Sequence, residues 1–252
     1  MVPRAFFLLG LLGATTNSAP QPPAQPSAPP APPPIQTVEA KPFLKETSPG
    51  ILEYNGIRLD KKNGRISFAA TVNQHEGLVE YLLVNDKGKV HESLLATKVL
   101  PHDIHLALLL IGLKDPTANL KAPVPPSAID AAYLQSAPKL KGPSVCLSVK
   151  WTEDGKEKES PAEDWIFNLD TKQAMSTGPW TYNGSLVENG VFLADQEDSI
   201  VAVITDPTAL VNNPRKGYDN EDIWQVKEAS VPPINTPVEI SITLGETNTS
   251  KP

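Results

Sequence analysis

The chain has 252 residues, a formal net charge of -7, one cysteine and 27 prolines. An isoelectric point near 5.2 argues against a nucleic-acid-binding protein, which needs clustered Lys and Arg to displace phosphate counterions. The lone Cys146 excludes an intrachain disulfide framework, a Cys-rich zinc site and an iron–sulfur cluster held by this chain alone.

Arg4 precedes an apolar run, AFFLLGLL at 5–12, and a small, polar stretch, ATTNSA at 14–19. At eight residues the run is less than half of the roughly 20 needed to span a bilayer, so 1–19 reads as a cleaved export signal. No cysteine follows it, so a lipoprotein anchor has no attachment point. The competing reading is an uncleaved anchor, because Pro20 disfavours a cut directly before it. A proline-rich linker, 20–42, opens with PQPPAQPSAPPAPPP at 20–34. Proline fixes φ and removes amide donors, giving an extended spacer of about 3.1 Å per residue. A PxxP docking ligand is the other reading; an exported chain has little access to cytosolic proline-binding domains, which favours the spacer.

The globular part is expected over 43–244, followed by a polar tail at 245–252. Ile66, Phe68, Ala70 and Val72 alternate with smaller or polar neighbours, the period of a half-buried strand. Asn63-Gly64 before them tolerates positive φ, which predicts a hairpin between 57–60 and 65–72. The same arrangement is expected of 78–84 and 89–97 around Asn85-Asp86-Lys87-Gly88. Further strands are expected at 145–151, 164–169, 190–194, 199–205, 223–226 and 238–244.

PHDIHLALLLI at 101–111 stands apart. Pro101 suits a first helical position, Gly112 ends the helix, and the apolar residues run nearly all round, which predicts burial against the sheet. A second short helix is expected at 128–135, within a Pro/Lys-rich surface excursion spanning 114–143, and a third between Asp206-Pro207 and Asn213-Pro214. The fold class predicted is therefore α+β: a mostly antiparallel β-sheet with one buried apolar helix and one or two short surface helices.

The blocks EYLL at 80–83, KVHESLL at 89–95 and 101–112 carry a likeness, with weaker echoes at 163–166, 180–185 and 232–238. With these the chain resembles the YdjY-domain family of uncharacterised, mostly exported bacterial proteins. The resemblance implies a domain identity and no mechanism. Some relatives are described as ferredoxin-like, a label from which this chain departs because Cys146 alone holds no cluster.

Histidine supplies the main candidate chemistry. His91, His102 and His105 fall within fifteen residues, flanked by Glu92 and Asp103, with His75 in a nearby loop. On a helix, His102 and His105 sit i,i+3 and share a face. If the strand carrying His91 lies beside that helix, imidazoles and Glu92 converge on a divalent metal. The plainer reading has His91 and Glu92 on opposite faces of a strand, and His102 and His105 at a helix surface or core edge. Ser93 shares a strand face with His91, yet nothing supplies a nucleophile elbow. Cys146 reads as a small, semi-buried residue opposite an apolar strand face. The acidic runs at 195–198 and 219–222 lack calcium-loop spacing and read as a solvated hairpin tip and a charged loop. The four tryptophans read as core. Asn183-Gly184-Ser185 matches a glycosylation sequon, relevant only in a eukaryote. The expected function is a non-enzymatic binding or structural module of the cell envelope, secreted or periplasmic. Its partner would be an unknown ligand or envelope protein, with no nucleic acid and no transmembrane segment in the mature chain. A divalent-metal-binding protein using His91, Glu92, His102 and His105 is the alternative.

Overall fold

A computed structural model describes residues 44–116 and 140–245. The expected signal, the proline-rich linker, the helix at 128–135 and nearly all of the tail lie outside the described residues. In chain order the strands are β1 (Lys45–Ser48), β2 (Ile51–Tyr54), β3 (Ile57–Asp60), β4 (Arg65–Val72), β5 (Tyr81–Asn85) and β6 (Ser93–Thr97). Helix α1 (Pro101–Leu110) comes next, then β7 (Ser144–Glu153), β8 (Lys156–Pro161), β9 (Ile166–Asn168), β10 (Gln173–Ala174) and β11 (Trp180–Tyr182). The chain continues with β12 (Val187–Glu188), β13 (Val191–Phe192) and α2 (Leu193–Glu197). It ends with β14 (Ser199–Ala202), β15 (Val211–Asn212), β16 (Trp224–Val226) and β17 (Pro237–Leu244).

Eight strands close on themselves in the order β4-β17-β7-β11-β15-β14-β5-β6, and β6 pairs back to β4. Closure satisfies the backbone groups that a sheet edge leaves open. The inward row of β4 is Ile66, Phe68, Ala70 and Val72, all buried. Across the register Ile242, Ile240 and Val238 of β17 face Ile66, Phe68 and Ala70, and Leu147, Val149 and Trp151 of β7 follow behind. β1, β2 and β3 continue the sheet outward from β4, and β8 pairs with β7 outside the ring. The tight turns of these outer strands run through Asn55-Gly56 and Asp154-Gly155 with positive φ at both residues. That conformation matches the twist of a two-residue hairpin.

The α+β expectation is corrected by this ring. The protein is mostly β, and its core is enclosed by strand residues, so no helix is needed as a second layer. The helix at 101–110 forms where expected, with Pro101 in its first turn. It is not buried all round: Ile104, Ala107 and Leu108 are buried, His102 is exposed, and Leu106, Leu109 and Leu110 are half-buried.

The expected hairpin at 78–97 is also corrected. Gly88 N–H donates to Asn85 O across the turn, but the chain then runs back through a 3-10 turn at Val90–Glu92. β6 therefore lies parallel to β5, with Tyr81 opposite Ser93 and Leu83 opposite Leu95. The helix expected after Asp206-Pro207 is a turn closed by Asp206 Oδ1 accepting from Thr208 N–H, and it leads into β15, which runs parallel to β14. The region 190–194 divides between β13 and α2. Among the described residues no helix is long and apolar enough to cross a membrane.

Candidate functional site

The 3-10 turn carries His91 and Glu92 off any strand. His91 is exposed, its Nε2 lying 3.1 Å from Glu92 Oε1. Ser93 is fully buried and its hydroxyl donates to Leu95 O at 2.8 Å. His102 points at α2 instead. Its backbone N–H donates to Asp195 Oδ1 at 2.9 Å and its Nδ1 lies 2.7 Å from Asp195 Oδ2. Leu100, at the position before α1, offers no side-chain acceptor, so a carboxylate from a distant element satisfies one of the open amides of the first turn. The run at 195–198, expected as a hairpin tip, thus includes a helix cap.

His105 lies against other partners. Its Nδ1 is 2.5 Å from Tyr182 Oη, and its ring stacks on Tyr182 and tilts against Phe192. Burial pushes the His105 pKa below its ordinary value, while Asp115 and Asp195 pull it back. Burial raises the pKa of the Tyr182 phenol, and the imidazole tautomer sets which of the two groups donates. Among the described residues no group of three or more His, Cys, Asp or Glu side chains is placed to hold a metal ion.

Asp103, named in the sequence only as a flank, is the better-placed residue. It sits in the first turn of α1 and is 4% exposed. Tyr54 O–H donates to its Oδ1 at 2.5 Å and Asn55 Nδ2 at 2.9 Å. His102 Nε2 lies 3.4 Å from the same oxygen. Burial, followed by the bond and charge of Asp103, pushes the Tyr54 pKa up to about 12. The amide ends of the first turn favour negative charge here.

Asp103 lines a recess of about 590 Å³ together with Asn55, Ala69, Thr71, Ala96 and Lys98. Its origin is a fork in the sheet. β4 pairs with β3 as far as Phe68 and with β6 only from Thr71. Between those pairings the neighbours diverge, and the outward methyls of Ala69 and Ala96 leave the gap unfilled. Thr97 Oγ1 donates to Ala69 O at 2.7 Å, which satisfies the carbonyl at the fork. The volume falls within the range of small-molecule sites. Tyr54 and Asn55 were missed in the sequence, because β2 is four residues long and carries no periodic signal; the Asn55-Gly56 turn was the available clue.

A second recess, of about 500 Å³, lies beside Cys146, Glu159 and Glu163. Cys146 is exposed on the outer face of β7, not semi-buried as expected. Glu163 Oε1 accepts from Arg215 at 2.7 Å and from Trp180 Nε1 at 3.0 Å, which makes this a packed structural node. The N–H of Trp165 donates to Ser160 Oγ and that of Trp224 to Gly217 O, as buried indoles require. Asn183 of the sequon is buried, donating to Pro207 O and Ala209 O.

The family model described as the YdjY domain matches residues 57–243. That span starts at the first residue of β3 and takes in every strand of the barrel. No curated protein and no solved structure matches the chain.

Proposed function

The chain belongs to the YdjY domain family, and from that premise we propose an exported, non-enzymatic binding module of the cell envelope that seats a ligand in the recess beside Asp103. The recess carries the reading: it is a concave surface built by backbone divergence, with a buried carboxylate on its wall. Rigid strands and a helix terminus hold its polar groups in place, which lowers the entropy lost on binding. Support for export comes from the charged, apolar and small-residue segments of 1–19, and the proline tract serves as a stalk between domain and envelope.

Two measurements test this. Fractionation of the full chain, with N-terminal sequencing of the product, is expected to place a shortened protein outside the cytoplasm; full-length protein in the cytosol would overturn export. In the purified full chain, a fragment screen read by amide chemical shifts is expected to give perturbations centred on Asn55, Ala96 and Lys98. These vanish in Ala96→Trp, which fills the fork. Hits that ignore that substitution would move the binding site elsewhere.

A further inference from the structure

Asp103 is a carboxylate with half of its acceptor capacity uncommitted. Both donors from the β2–β3 turn, Tyr54 and Asn55, and the nearby His102 Nε2 gather at Oδ1. Oδ2 accepts no hydrogen bond among the described residues, although the residue is more than nine-tenths buried and lines the recess. That oxygen is left to solvent at the recess wall, while the burial of the rest of the side chain strengthens its pull on a cation that reaches it. Asp86 and Lys98 also line this recess.

Resting on the recess reading above, we propose that the recess selects a ligand bearing a primary ammonium or guanidinium group, which donates to Asp103 Oδ2 with Asp86 as the second carboxylate. An N–H cation supplies several donors at once, and a charge-assisted bond to a carboxylate is about twice as strong as a neutral one. The small outer-face side chains Ala69, Thr71 and Ala96 leave room for the aliphatic stem. The same chemistry is offered by a free polyamine and by a Lys or Arg side chain of a peptide.

The test is an amide-shift titration of the purified full chain at low salt with small probes of different charge. The probes are 1,4-diaminobutane, N-acetyl-lysine amide, N-acetyl-arginine amide, a neutral diol, succinate and calcium chloride. The expected result is saturable perturbation around Asn55 and Ala96 by the amine and guanidinium probes alone. The diamine against the acetylated amides tells a free amine from a peptide side chain. Asp103→Asn keeps an oxygen for Tyr54 and Asn55, and it is expected to weaken binding about tenfold or more. Asp86→Asn, an exposed change that spares the fold, is expected to weaken it several-fold, whereas Lys98→Gln tightens it. Binding of the diol, succinate or calcium at the recess in place of the cations would overturn the ligand class and leave the recess standing. No perturbation there by any probe would overturn both. Amine affinity unchanged from the parent in both Asp86→Asn and Asp103→Asn, with the fold intact, would also sink the assignment.

Discussion

Arg215 and Glu163, 52 positions apart in sequence, form a nearly dry ion pair in which Arg215 Nη2 donates to Glu163 Oε1 at 2.7 Å, with side-chain exposures of 11% and 2%. The same guanidinium donates to Ser176 O, Gly178 O and Asn213 Oδ1, and it lies over the Trp180 ring. The pair ties the turn between β8 and β9 to the loop after β15. Removing one partner strands the other charge. Glu163→Ala is expected to lose about 3–5 kcal/mol of unfolding free energy in urea. Arg215→Lys is expected to be far from neutral, because a lysine lacks the planar fork that reaches four acceptors.

Asp195 acts on α1 from outside it. Asp195→Ala removes an acceptor from the first turn and is expected to lower stability by about 0.5–2 kcal/mol, with Asp195→Asn recovering part of it. The urea midpoint measures this. Equal stability in all three proteins would show that water serves the open amide as well.

His105 makes stability sensitive to acid. Its pKa is lowered in the folded state by burial. Between the ordinary value near 6.5 and the lower folded one, the unfolded chain binds a proton that the native chain does not. Stability is therefore complete above that ordinary value and falls as pH drops below it. Urea unfolding at a series of pH values is expected to show this slope, and His105→Gln to flatten it in that window.

The barrel predicts a sharp contrast between adjacent residues of β4. Phe68 points inward and is 2% exposed, whereas Ala69 points outward. Phe68→Ala is expected to cost about 3–5 kcal/mol. Ala69→Ser should stay within about 0.5 kcal/mol of the parent. Thermal melts of the two variants check the pattern, and comparable losses in both would contradict the side-chain alternation.

Much of the local structure was legible because it rests on neighbours in sequence. The alternation of 65–72, the Asn63-Gly64 turn and the proline-led helix at 101–110 are short-range signals, and all three recur in the structure. Strands of two or three residues such as β11 and β14's partner β15 carry no period to detect. The site followed the same division. Asp103 and the histidines were visible as residue types, while the donors that hold Asp103 come from Tyr54 and Asn55, and the carboxylate that accepts from His102 comes from Asp195.

The sequence by itself carried the family resemblance, in its motif blocks, together with the β-rich character, the net negative charge and the expectation of an exported chain, because motifs, composition and short periodicities are present before the chain folds. Tertiary structure decided the rest: that β6 returns to β4 and closes the ring, that β5 and β6 run parallel, and that β4 changes partner at Ala69. These are pairings between distant segments, settled by which strands bury one another's apolar faces, and that competition leaves no trace in any single stretch of chain.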